Sequence, residues 1–201
     1  MMFDAVILAG GRARRLGGAS KPTLVHGGDS LLELAVRAAS GARRIVVVGD
    51  VAAKARYSVT RESPPFAGPV AAIAAGLEAL EDPASPLVLV LACDMPGVAG
   101  AVGALLATPV SHDGVIARDA TGSDQYLAAI YRRAALASRL TDIEVQNASM
   151  RSLVAGLDLR GVSAPPGSTD DVDTWQDAER LGVSDSATRV TAQHEGASDD
   201  R

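Results

Sequence analysis

The chain is poor in aromatic residues and in cysteine, and each scarcity excludes a class of protein. Phe, Trp and Tyr make up 3% of its 201 residues, so aliphatic side chains must build the core, as in parallel sheets covered by helices. The single cysteine, Cys93, excludes a disulfide framework within the chain. No apolar stretch reaches the roughly 20 residues of a membrane helix, and residues 1–8 lack the basic start of a signal peptide. We therefore expect a cytoplasmic protein without membrane contacts.

The chain also lacks a long basic run, a histidine cluster and a second core. Its net charge of −5 argues against nucleic acid as a partner, and its isolated histidines indicate neither a zinc site nor a Ser–His pair. With 47% hydrophobic residues, the length suits one substantial core, and we expect one domain over residues 1–183. Residues 184–201 are small and polar without hydrophobic periodicity, which predicts a disordered tail.

What the chain does have is an alternation of apolar runs with helical patterns, which is typical of βαβ units and a mostly parallel sheet. Strands are predicted at residues 3–9, 44–49, 87–92, 114–117 and 126–131. Three helix starts are marked, by Ser30 with Glu33, by Pro69 before residues 70–80, and by Asp173 with Gln176 before residues 175–181. The pattern predicts an α/β fold.

The first predicted strand leads into a loop that is rich in glycine and in positive charge. The loop carries four glycines and four cations: Gly10, Gly11, Gly17, Gly18, Arg12, Arg14, Arg15 and Lys21. Glycine lets backbone N–H groups approach phosphate oxygens. The spacing fits neither a P-loop nor a dinucleotide fingerprint, because five residues separate Gly11 from Gly17 and the glycines form adjacent pairs. A triphosphate site is predicted; an ordinary βα loop with solvated arginines is the alternative.

Acidic residues follow later elements, where ligands bind in open α/β sheets. Asp94 comes directly after the third predicted strand region, and Asp173 precedes the last predicted helix. Carboxylates beside a triphosphate need a cation, and Mg²⁺ accepts one or two carboxylates together with phosphate oxygens. We expect Asp94 and Asp173 to hold Mg²⁺; a turn residue and a helix cap are the alternatives. Gly68, before a predicted helix, indicates either an anion site at the helix start or a rigid proline turn. Cys93 is expected to be buried rather than nucleophilic.

Residues 8–21, LAGGRARRLGGASK, closely resemble the signature loop of the molybdenum cofactor guanylyltransferases, within the nucleotidyltransferase superfamily. Gly68-Pro69, the segment CDMP at residues 93–96 and the segment DVDT at residues 171–174 follow in the family's order, so the resemblance covers residues 3–183. It implies a three-layer α/β/α, Rossmann-like fold. It also implies transfer of GMP from GTP to the phosphate of molybdenum-bearing molybdopterin, release of pyrophosphate, a need for Mg²⁺, and transient contact with the molybdoenzyme or chaperone that receives the product.

The same resemblance implies roles for individual residues. Nucleotide contacts are implied for Leu8, Ala9, Gly10, Gly11, Lys21, Asp50, Glu62 and Asp94. Contacts with the acceptor or the reacting phosphates are implied for Arg15, Gly18, Gly68, Asp171 and Asp173. Lys21, Arg15 and Asp94 are the expected catalytic residues. The Gly10-Gly11 pair resembles the guanine-using branch, since cytidylyl relatives tend to have Ala-Gly there.

The chain departs from the family pattern at several positions. The departures are Ser20 for aspartate, Glu62 for aspartate, Ala72 for glycine, Asp171 and Asp173 for asparagines, and Asp124-Gln125 for His-Pro.

Three alternatives stay open beside guanylyl transfer to molybdopterin. They are nucleotidyl transfer with another base or acceptor, a GTP-binding module without turnover, and a nicotinamide oxidoreductase.

Overall fold

The computed structural model describes residues 1–11, 16–18, 20–80 and 85–185. The strands are β1 (Asp4–Leu8), β2 (Val25–His26), β3 (Asp29–Ser30), β4 (Ile45–Val48), β5 (Ser58–Thr60), β6 (Leu87–Ala92), β7 (Gly114–Arg118), β8 (Asp124–Arg132), β9 (Leu159–Ser163) and β10 (Val183–Ser184). The helices are α1 (Leu31–Ala38), α2 (Pro69–Ala79), α3 (Val98–Leu106), α4 (Arg133–Thr141), α5 (Met150–Val154) and α6 (Trp175–Arg180), and Lys21–Thr23 forms one 3-10 turn.

Seven strands form the central sheet, in the order β5-β4-β1-β6-β8-β7-β9. β5, β4, β1 and β6 run parallel to one another, and β9 runs parallel to β7. β8 runs antiparallel to both of its neighbours, with Leu91 of β6 opposite Ala128. The predicted mostly parallel sheet is therefore confirmed, and the antiparallel β8 brings its first residues to the carboxyl end of β6.

Helices cover both faces of this sheet because successive strand residues point to opposite sides. In β1, Ala5 and Ile7 pack in one core cluster with α1 and α3. Val6 and Leu8 pack in a second cluster with α2, α4 and α5. Two apolar cores on the two faces of one sheet confirm the three-layer α/β/α architecture. Among the described helices, none has the length and apolar character that crossing a bilayer requires.

A small sheet in the order β10-β2-β3 lies beside the large one. It packs in a third cluster that joins Leu16 of the glycine-rich loop, Leu24 after the 3-10 turn, and Val172 before α6. This cluster joins the segment after β1 to the last described elements, α6 and β10. Ser184, where the predicted tail begins, belongs to β10 and pairs with Val25; from residue 186 on, the predicted tail lies outside the described residues.

The caps of two helices test the predicted helix starts. Ser30 and Glu33 form the predicted capping box of α1. At α6 the prediction was wrong by one residue, because Thr174, not Asp173, is the cap: its hydroxyl accepts from the N–H of Asp177 at 3.1 Å. The Asp177 carboxylate accepts from the N–H of Thr174 at 3.0 Å in return. Asp173 is thereby left outside the cap, and its side chain turns to other partners.

Candidate nucleotide and metal site

The carboxyl ends of β1, β4 and β6 border two adjoining cavities. The first has a volume of about 470 Å³, a size typical of small-molecule sites. Among its lining residues are six of the predicted nucleotide contacts and Gly68: Leu8, Gly10, Gly11, Lys21, Glu62, Asp94 and Gly68. The sequence therefore predicted residues from five separate segments that the fold brings to one cavity.

The second cavity, of about 570 Å³, shares Gly10, Gly11, Lys21 and Glu62 with the first. It adds the remaining predicted residues of this region, which are Ala9, Gly18 and Asp50. The carboxylate of Asp50 pairs with Arg61 at 2.7 Å. Asp50 is thus held by a cation that the sequence analysis did not identify.

Glycine is required by the backbone around this second cavity. Gly18 has a φ of 88°, in the region that side chains disfavour. At Gly49, which follows β4 and lines the cavity, a Cβ would lie 2.6 Å from the carbonyl oxygen of Ala9. The ends of β1 and β4 approach each other closely only because residue 49 has no side chain. Arg15, with Arg12 and Arg14, lies outside the described residues.

Lys21 lies between two carboxylates from distant parts of the chain. Its Nζ donates to Asp94 Oδ2 at 2.9 Å and to Asp173 Oδ1 at 2.6 Å. Burial alone would lower the pKa of Lys21, but the two carboxylates raise it, so the amine stays protonated. The structure therefore joins a predicted catalytic cation to both predicted metal ligands.

Asp171 completes an acidic cluster with Asp94 and Asp173. One carboxylate oxygen from each of these three residues lies within 4.8 Å of the others. Partial burial, followed by the charges of Asp94 and Asp173, raises the pKa of Asp171. Hard carboxylate oxygens at this spacing fit Mg²⁺ or another hard divalent cation. Asp171 was predicted as an acceptor contact and not as a metal ligand. Its position two residues before Asp173 is the sequence feature that could have identified it as a third candidate ligand.

Main-chain hydrogen bonds hold the two halves of the acidic cluster together. The N–H of Cys93 donates to the carbonyl of Leu8 at 3.0 Å, which ties the end of β6 to that of β1. The carbonyl of Asp94 accepts from the N–H of Val172 at 3.0 Å. Val172 is fully buried, so the aspartates on either side of it are fixed beside Asp94.

Cys93 has no accessible thiol, although it is adjacent to Asp94. It is 4% exposed, and burial raises the pKa of its thiol. The predicted burial of Cys93 is confirmed.

Sequence reasoning missed several residues of the first cavity, among them Phe66, Leu127 and Asn147. Leu127 reaches the cavity through the antiparallel direction of β8, which the sequence did not show. Phe66 and Asn147 belong to irregular segments without a motif. Gly68 caps α2 with a φ of 95° and lines the same cavity, beside the predicted nucleotide contacts.

A mostly parallel sheet with a glycine-rich loop, a nucleotide-sized cavity and an acidic cluster at its carboxyl edge defines the nucleotidyltransferase class. The sequence model of the MobA-like NTP transferase domain matches residues 5–162, and the chain belongs to this family.

Individual relatives agree with this assignment. A probable molybdenum cofactor guanylyltransferase of Chloroflexus aggregans is 34% identical over 146 aligned positions, and the match covers 68% of this chain and 69% of that protein. The molybdenum cofactor guanylyltransferase of a Bradyrhizobium species is 40% identical over 99 aligned positions, and the match covers 45% of this chain and 47% of that protein. The chain thus spans about half the length of this second relative.

A solved structure shares the fold. The crystal structure of a Mycobacterium tuberculosis protein in complex with manganese superimposes with a TM-score of 0.68 over 90% of this chain and 98% of that chain, at 17% identity.

Proposed function

We propose that the protein transfers GMP from GTP to the phosphate of molybdenum-bearing molybdopterin and releases pyrophosphate. The observation that carries this proposal is the position of Lys21, which borders both cavities and contacts two aspartates of the acidic cluster. The names of the Chloroflexus and Bradyrhizobium relatives support the choice of nucleotide and acceptor. The reaction is proposed to take place in the cytoplasm, with the product passing to a molybdoenzyme or its chaperone.

In this reaction an oxygen of the acceptor phosphate attacks the α-phosphorus of GTP. A new phosphorus–oxygen bond forms, the bond between the α-phosphorus and the bridging oxygen breaks, and pyrophosphate carries away the bonding electrons. Two anions must approach, so catalysis depends on positioning and on neutralisation of charge. The ammonium group of Lys21 supplies that charge where the cavities meet. The buried thiol of Cys93 supports a transfer without a protein nucleophile.

The acidic cluster would hold the divalent cation. Asp94 and Asp173 are the proposed ligands, and Asp171 lies close enough to serve as a third. Bound Mg²⁺ would neutralise phosphate oxygens, which is its usual contribution to phosphoryl and nucleotidyl transfer. The manganese in the Mycobacterium tuberculosis structure supports a divalent site in this fold.

The remaining predicted residues surround this centre. Leu8, Ala9, Gly10 and Gly11 are proposed to contact the nucleoside, together with Asp50 and Glu62. Arg15, Gly18, Gly68, Asp171 and Asp173 are proposed to contact the acceptor or the reacting phosphates. Gly68 directly precedes the 11-residue helix α2, whose N-terminus offers free N–H groups to an anion.

The test is release of pyrophosphate by the purified protein with molybdenum-bearing molybdopterin and Mg²⁺. GTP is expected to support release, with CTP and ATP at least tenfold poorer substrates. A preference for CTP would assign the chain to cytidylyl transfer. Binding of GTP without any release would identify a nucleotide-binding module and refute the transferase proposal.

A further inference from the structure

Two non-glycine residues in the described part of the chain have a positive φ, and both line the first cavity. They are Phe66, with a φ of 65°, and Asn147, with a φ of 57°. Such backbone is costly for a bulky residue and tolerated better by asparagine. Strained backbone gathers at ligand-binding sites, where the surrounding structure enforces it. Both of these strained residues therefore lie in the wall of the first cavity.

Hydrogen bonds join these two residues into that wall. The N–H of Asn147 donates to the carbonyl of Ala67 at 2.6 Å. The N–H of Phe66 donates to Glu62 Oε1 at 2.9 Å. A Cβ on Gly68 would lie only 3.6 Å from the Cα of Asn147, so the turn between α4 and α5 packs directly on the segment before α2. Glu62, Phe66 and Asn147 form one continuous surface.

The Glu62 end of this surface lies away from the acidic cluster. Glu62 follows β5, whereas Asp94 follows β6, and two strands separate β5 from β6 in the sheet. At ~4.8 Å per strand, their ends are about 14 Å apart. One end of the cavity thus carries the charges suited to phosphates, and the other end carries a carboxylate, an aromatic ring and a carboxamide. This distribution of charge favours the second end for the nucleobase.

The polar groups at that end match the edge of guanine. Guanine presents N–H donors at N1 and N2 and an acceptor at O6. Glu62 is 9% exposed and lines the cavity, and among the described residues no partner of its second oxygen, Oε2, is found. A carboxylate can accept from the donors of guanine but cannot donate to O6, whereas the amide of Asn147 carries two donors on Nδ2.

We propose that Asn147 Nδ2 donates a hydrogen bond to O6 of the guanine and so helps to determine the choice of base. The inference rests on the proposed transfer from GTP. It assigns base selection to a residue from the α4–α5 turn, in addition to the glycine-rich loop.

The test measures nucleotide binding by isothermal titration calorimetry with the full chain and Mg²⁺. Asn147→Gly removes the amide and keeps a backbone that suits a positive φ; GTP is expected to bind roughly tenfold more weakly. Asn147→Asp replaces the donor by an acceptor and also tolerates this backbone. It is expected to shift the preference at least tenfold from GTP towards 2,6-diaminopurine riboside triphosphate, which carries an amino group at position 6. Gln146→Ala, in the same turn and exposed, is the matched control.

The outcomes separate this inference from the proposed function. If the unmodified chain prefers GTP and Asn147→Asp leaves the preference unchanged, the inference is overturned while guanylyl transfer stands. An Asn147→Gly variant that binds GTP as tightly as the unmodified chain overturns it as well. If the unmodified chain shows no preference for GTP over CTP, both proposals are overturned together.

Discussion

Replacement of Lys21 by alanine removes a charge that contacts both halves of the acidic cluster. In the structure its ammonium group lies 2.9 Å from Asp94 and 2.6 Å from Asp173. The variant therefore changes two things at once. It deprives the reacting phosphates of a positioned cation, and it removes the ammonium group that contacts Asp94 and Asp173 of the acidic cluster.

The two effects differ in size. Loss of one preorganised charge contact costs about 3–4 kcal/mol in the transition state, or roughly a hundredfold to a thousandfold in rate. Side-chain exposure is 17% for Lys21, 20% for Asp94 and 49% for Asp173, so solvent screens the ion pairs. We therefore expect their loss to change the free energy of unfolding by only about 1 kcal/mol. Lys21→Ala should fold normally and be nearly inactive.

The assay measures the rate of pyrophosphate release with both GTP and the acceptor at saturating concentration. Thermal unfolding of the same variants is measured in parallel. Lys54→Ala is the matched control, because Lys54 makes a 2.7 Å ion pair with Glu33 outside both cavities. Without nucleotide, Mg²⁺ should raise the unfolding temperature of Lys21→Ala more than that of the unmodified protein, because the lysine no longer competes for the carboxylates. Near-normal turnover by the folded variant would refute the role assigned to Lys21.

Three further predictions concern Asp94, Thr174 and Glu33. Asp94→Asn should lower transfer at least about a hundredfold with an unchanged circular dichroism spectrum, and turnover within tenfold of normal would contradict its role. Thr174→Ala should lower the free energy of unfolding in urea by about 1 kcal/mol, whereas Gln176→Ala should change it by less than ~0.5 kcal/mol; equal losses would reject the cap. The pKa of Glu33 is lowered from 4.5 to about 2, chiefly by its hydrogen bond with Lys54. The stability that Glu33 contributes should be complete above pH 4.5 and lost as the pH falls towards 2, and Glu33→Gln should remove this pH dependence.

Five of the seven strands of the central sheet were predicted, because most of them are short aliphatic runs; β5 and β9 were missed. The run at residues 87–92 became β6 without a change of bounds, and β1 and β4 each lost one residue at either end. Helix α3 was not predicted, because its sequence VAGAVGALL has no polar face and its cap position is Gly97. The direction of β8 was not predictable either, because antiparallel and parallel buried strands have similar composition.

The candidate site was predictable to the extent that it depends on strand ends. Residues that directly follow β1 and β6 had to lie at the same edge of a parallel sheet, and Gly10, Gly11 and Asp94 do line one cavity. Asn147 was missed because its position depends on one main-chain hydrogen bond to Ala67, which no local pattern encodes. Residues placed by long-range contacts of irregular segments cannot be identified from spacing.

The structure contradicts one of the two hypotheses that the sequence left equal for Asp173, the helix cap. A cap and a metal ligand both require a carboxylate before a helix, so residue type and position favoured neither. Thr174 takes the cap, and the buried Val172 with its hydrogen bond to Asp94 turns the chain so that Asp173 meets Lys21. The small sheet and its core cluster, rather than any feature of the helix, thereby determine that the carboxylate of Asp173 contacts Lys21. A polar substitution at Val172 should therefore impair Mg²⁺ binding although residue 172 contributes no ligand.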